Sequence, residues 1–198
     1  WWTEDGTVVT RAKVDGNWEG AKIVSTGGRR AKFPDVAVGN YFVYACWVEK
    51  IGDIYQAFYS RRSRGYNASW SSPDYIYRTE YSAQHPVVEL DSLDNPHVVW
   101  TPIIVDSNRA VYYSYWTGSG FSSPQEISSV TGLHYPSLAE QDGNLAACWQ
   151  VGAWGGGLTI KYNLFQNGSW EGEKSIARSG GSTFSDVAFD PSGNAAFV

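Results

Sequence analysis

The stretch Tyr135-Pro136-Ser137-Leu138-Ala139-Glu140, followed by Gly143-Asn144-Leu145-Ala146-Ala147-Cys148-Trp149, decides the fold, because both halves recur along the chain. The apolar run into Trp149 has counterparts in Tyr41–Trp47 and Asn95–Trp100, and a fourth in Asn194–Val198, which runs into Trp1 if the chain is read as a circle. The ring-plus-Pro start returns as Phe33-Pro34, His85-Pro86 and Phe184-Ser185. Its spacings are 52, 50 and 49 residues, with 47 more across the Val198–Trp1 seam. A third mark keeps the same phase: Asp15-Gly16-Asn17-Trp18, Asn67-Ala68-Ser69-Trp70, Gly118-Ser119-Gly120-Phe121 and Asn167-Gly168-Ser169-Trp170. Self-similarity at about 50 residues is the mark of a repeat architecture. The chain divides into four such repeats, 1–198, with the seam at Val198 and Trp1.

Each repeat carries four strand-like runs. In the third they are 137–140, 144–150, 158–164 and a run from 170 to 176, separated by Asp142-Gly143, Gly155-Gly156-Gly157 and Asn167-Gly168. Such dipeptides supply the positive φ angles of tight hairpins. The second run is apolar throughout, as a strand buried on both faces requires. Four antiparallel strands in about 50 residues make a propeller blade, and stacked blades bury what one blade cannot. The expectation is an all-β propeller of four blades, either a closed ring, half of an eight-blade dimer or part of a longer propeller. The repeated Trp and Phe then pack between blades.

Composition agrees. The chain has 198 residues, 16% aromatic and 18% charged, with 21 Gly and no Met. Disordered chains are poor in aromatics and helical bundles are rich in Ala, Glu, Lys and Leu, so both are excluded. A net charge of −5 opposes a nucleic-acid partner, which needs a basic face. The one basic cluster, Arg61, Arg62 and Arg64, reads as a solvated loop. No apolar run reaches the roughly 18 residues of a membrane span, so no membrane insertion is expected. There is no signal peptide and no initiator Met, which suggests a processed product or an excised piece. Cys46 and Cys148 hold equivalent places in repeats facing each other across a four-blade ring, too far apart for a disulfide. Two free buried thiols are expected.

The order Pro-x-hydrophobic-x-hydrophobic, Gly-Asn, apolar run into Trp, then Gly-x-Trp near a Pro resembles the bacterial-neuraminidase-type (BNR, Asp-box) propeller repeats. Gly143-Asn144 to Trp149, Gly193-Asn194 to Trp1, Trp70-Ser71-Ser72-Pro73 and Phe121-Ser122-Ser123-Pro124 carry the likeness. It implies a sialidase-like propeller with the box on the turn between third and fourth strands, where Asp15-Gly16-Asn17-Trp18 falls. No turn spells the full Ser/Thr-x-Asp-x-Gly-x-Thr-Trp box, and the Arg-Ile-Pro motif that carries a catalytic arginine in sialidases is missing. No catalytic residue transfers.

The candidate ligand-binding residues are the four rings Phe33, His85, Tyr135 and Phe184, which symmetry places on one channel rim. Two readings apply to them: packing against neighbouring blades, or stacking on sugar faces. Asp35 and Asp186, one and two residues into the first strand, are the candidate channel carboxylates, with Glu89 and Glu140 nearby. Paired carboxylates can hydrolyse a glycosidic bond; they can also simply solvate the channel. The histidines His85, His97 and His134 are too dispersed for a metal set, and no cofactor is expected. The reading is a non-catalytic recognition or scaffold module, extracellular or on the cell surface, monomeric or homodimeric, with a glycan or protein ligand. The alternatives are a glycoside hydrolase or lyase using the channel carboxylates, and an orphan piece with no activity of its own.

Overall fold

The computed structural model describes residues 1–103, 110–129, 133–152, 158–178 and 184–198, and every regular element in them is a β-strand. The first unit holds β1 (Val9–Thr10), β2 (Lys13–Val14), β3 (Asn17–Trp18) and β4 (Lys22–Ile23), paired β1 with β4 and β2 with β3. Next comes a four-stranded antiparallel sheet of β5 (Lys32–Val38), β6 (Phe42–Ile51), β7 (Ile54–Ser63) and β8 (Asp74–Tyr77). A second such sheet follows in β9 (Ser82–Leu90), β10 (Pro96–Ile103), β11 (Tyr112–Tyr115) and β12 (Gln125–Glu126). The third contains β13 (Leu133–Gln141), β14 (Asn144–Val151) and β15 (Thr159–Gln166), with β16 (Ser169–Trp170) and β17 (Lys174–Arg178) both on β15. β18 (Val187–Phe189) and β19 (Ala195–Phe197) form a last ladder.

The turns follow the sequence. Asp15-Gly16, Asp142-Gly143 and Asn167-Gly168 have positive φ at both residues (48° and 80°, 52° and 81°, 53° and 80°), the geometry that matches strand twist in a two-residue hairpin. The Gly155-Gly156-Gly157 turn, Trp154 and Asp106 lie outside the described residues.

The repeated Trp is the inter-blade wedge. Trp47 is fully buried against Val8, Val24 and Ala31 of the preceding unit. Trp100 packs among Ala57 and Ile76, and Trp149 among Val111 and Ile127, in each case the blade before. Cys46 and Cys148 are free and buried, as expected.

One expectation is corrected. The arginine cluster is not a solvated loop: Arg61 and Arg62 sit in β7, and Arg62, 4% exposed, holds both oxygens of the buried Glu19 carboxylate at 3.2 and 2.9 Å. Arg61 covers the Phe42 ring, and Arg64 donates to the Gly39 carbonyl at 3.1 Å. Arg62 alone ties two units together, through Glu19, while exposed Arg61 and Arg64 make their contacts within their own blade. At the Val198–Trp1 seam the described residues pair locally. Trp1 pairs with Val9 and Val198 with Asp186, while no strand ladder joins β18 or β19 to β1–β4.

Candidate functional site

The four expected rim residues are built by one backbone device. In the β5–β6 ladder Lys32 faces Val48 and Asp35 faces Cys46, so Phe33 and Pro34 together oppose Trp47. His85-Pro86 oppose Trp100 in the same way, and Tyr135-Pro136 oppose Trp149. Each is a β-bulge, two residues against one, and proline suits it because the unpaired position needs no N–H donor. Phe33, His85, Tyr135 and Phe184 have φ of 52°, 47°, 48° and 63°. That left-handed conformation is disfavoured for a residue with a bulky side chain, by roughly 1–2 kcal/mol. Contact between the rings of neighbouring blades holds it in place.

The result is a continuous arc of rings. Phe33 lies 3.9 Å from His85 between centroids, His85 4.5 Å from Tyr135, and Tyr135 5.0 Å from Phe184. Trp2 extends it, 5.9 Å from Phe33 and edge-on. The inner members are half-buried against one another, so no sugar ring fits between them. The open surfaces are at the two ends, where Trp2 is 47% and Phe184 64% exposed. A cavity of about 220 Å³ lies among Phe33, Asp35, His85, Val87 and Tyr135.

The carboxylates stand just inside the arc. Half-buried Asp35 accepts the Val88 N–H of the next blade at 2.9 Å, and burial raises its pKa although the Val88 and Val36 N–H groups oppose the rise. Exposed Asp186 accepts a short hydrogen bond from Ser137 Oγ at 2.5 Å. The two residues named together from the sequence are thus each held by a neighbouring inner strand. Glu89 is the group they act on: burial, then the charges of Asp35, Glu140 and Asp186, push its pKa up to about 7. Burial also raises Glu140, against the Gly143 N–H that it accepts at 2.8 Å. A carboxyl pushed up to about 7 among other carboxylates is the raw material of acid–base chemistry.

The remaining candidates disperse. His97 Nδ1 meets the Tyr113 hydroxyl at 2.7 Å, with Asp91 3.8 Å from Nε2, and the side chain of His134 lies outside the described residues. Among the described residues no group of three or more His, Cys, Asp or Glu is arranged to hold a metal ion. The backbone angle at the rings was not readable from residue type, since nothing in a Phe or Tyr before Pro announces a positive φ.

No protein-family model matches the chain, and no curated protein matches it in sequence. Solved structures do. A Trypanosoma rangeli sialidase mutant with trans-sialidase activity matches 91% of this chain over 36% of its own, at 13% identity and a TM-score of 0.63. A polysaccharide lyase of the ulvan lyase type matches 91% of the chain over 52% of its own, at 9% identity and TM-score 0.65. The endo-arabinase of Bacteroides thetaiotaomicron matches 91% over 75% of its own, at 14% identity and TM-score 0.60. The shared fold is the sialidase-like β-propeller, and the chain spans about a third of the sialidase and half of the lyase.

Proposed function

We propose that the propeller is a carbohydrate-recognition module, outside the cell or on its surface, that binds a glycan across the channel mouth. The observation that carries this is the arc of rings with exposed ends at Trp2 and Phe184, next to the acceptors Asp35 and Asp186. Sugars present apolar faces that stack on aromatic rings and hydroxyls that hydrogen-bond to carboxylates. Proteins of the same fold include a sialidase, an ulvan lyase and an endo-arabinase, which supports a sugar over a protein ligand. A glycan array probed with the chain tests it: binding to a defined glycan that drops at least tenfold in Phe184→Ala is expected, and silence on every glycan would refute it.

One observation favours a second reading, hydrolysis or lyase chemistry in the channel: Glu89, at about 7, sits under the charges of Asp35, Glu140 and Asp186. In that reading Glu89 supplies the proton and Asp35 the charged partner. Turnover of a chromogenic glycoside panel, or release of unsaturated sugar from an acidic polysaccharide, lost in both Glu89→Gln and Asp35→Asn, would replace the binding reading with this one. No turnover on any substrate would end it.

A further inference from the structure

Blade by blade, the same slot is filled in one place and open in the next. Trp47 donates its indole N–H to Glu49 Oε1 at 2.8 Å, and the Thr26 N–H donates to the same oxygen at 2.6 Å. Arg29 lies 3.8 Å from Oε2, and Glu49 is wholly buried. The slot between the end of β6 and the connection leading into β5 therefore holds a carboxylate, supplied by the chain itself.

One blade on, Pro102 stands where Glu49 stood. Both lie two residues after the repeat Trp, and Pro102 pairs with buried Ala83 as Glu49 aligns with buried Ala31. Proline offers no side-chain acceptor, and the Trp100 indole N–H, in a residue 1% exposed, has no hydrogen-bond partner among the described residues. Here a cavity of about 460 Å³ opens, lined by Tyr77, Arg78, Tyr81, Trp100, Pro102 and Tyr112. That volume suits a small ligand. The Arg78 guanidinium lies 4.1 Å over the Tyr75 ring, which fixes it at the cavity wall with its N–H donors unspent on the ring. Tyr77 and Tyr81 are 39% and 49% exposed, open for contact with a sugar face. Among the described lining residues Glu80 is the acidic group that opposes an anion.

We propose that this cavity binds the carboxylate of a hexuronic acid residue, held by the Trp100 indole N–H and Arg78, in the place that Glu49 fills one blade earlier. The sugar ring rests on Tyr77 and Tyr81. The ligand class rests on the carbohydrate reading above, while the site is separate from the aromatic arc.

The test is an NMR titration of the 15N-labelled chain with sodium glucuronate, glucose and acetate, following the Trp100 indole N–H, assigned by its loss in Trp100→Phe. A saturable shift with glucuronate is expected, at least tenfold tighter than with glucose or acetate. Trp100→Phe and Arg78→Ala each weaken glucuronate about tenfold, read from the remaining cavity signals. If Trp100→Phe fails to fold, exposed Arg78 carries the same prediction. Pro102→Glu places an internal carboxylate in the slot and abolishes binding, and Glu80→Gln tightens it. Phe184→Ala leaves it unchanged, so failure here and failure of the channel-mouth reading are told apart. No saturable shift with glucuronate, equal binding of acetate, or full binding in Pro102→Glu would each overturn the proposal.

Discussion

Asp94 illustrates how single residues stitch these blades. It occupies a left-handed turn position, φ 63°, where the equivalent turn before β19 has Gly193 at 82°. From there its carboxylate crosses to the preceding blade and accepts the N–H groups of Asn40, Tyr41 and Phe42 at 2.7, 2.6 and 2.8 Å. A methyl group on Gly39 would collide with that carboxylate, so Gly39 is required for space. Burial alone would raise the Asp94 pKa, but the three N–H groups and Arg64 outweigh it and the net effect is a lowered value. Asp94→Ala is expected to cost about 3 kcal/mol in urea unfolding, since it orphans three donors. Because the folded carboxyl titrates below its unfolded value, this stabilisation is complete above about pH 4 and is lost as pH falls through the folded pKa. Glu89 has the opposite sign. Its folded pKa, about 7, lies above the unfolded value, so its favourable contribution is full below about pH 4.5 and disappears as pH rises through 7. Glu89→Gln should therefore raise stability at pH 8 by ~1–2 kcal/mol, allowing for solvent screening, and change little at pH 4; thermal unfolding at the two pH values checks it.

Within a strand, the bulge is the element that converts a repeat into a site. Because His85 has φ 47°, His85→Gly is expected to be more stable than His85→Ala by about 1 kcal/mol, the reverse of the usual order in a strand. Equal stabilities, measured by denaturant unfolding, would mean that the position is unstrained. How far this element was legible follows from its residues. Pro34, Pro86 and Pro136, with Trp47, Trp100 and Trp149, fixed strand order and phase, because a ring-plus-Pro start and a buried Trp recur at constant spacing. The register that sets two of these residues against one Trp was hidden, since it depends on pairing across the hairpin. The Arg62–Glu19 pair joins residues 43 apart, and no local pattern announces it. Glu89 was visible as a carboxylate near the first strands, but its perturbation arises only when folding brings Asp35, Glu140 and Asp186 around it.

Across the whole molecule, blades stack through one repeated wedge, and the inner strands bring their starts together in one arc of rings. Rings and carboxylates from different blades then meet although they lie about 50 residues apart in the chain. Trp1 and Val198 are 57% and 85% exposed, and a groove of about 450 Å³ runs beside Trp1, Val36 and Val38. The channel-mouth site does not depend on their joining, because its arc is continuous from Trp2 to Phe184. In the proposed function this arc is the sugar-binding surface. Isothermal titration of the best glycan from an array against wild-type, Phe184→Trp and Phe184→Ala chains tests that claim most directly. Affinity kept within about threefold in Phe184→Trp and reduced tenfold or more in Phe184→Ala is the predicted result. Equal affinity in all three chains would contradict it.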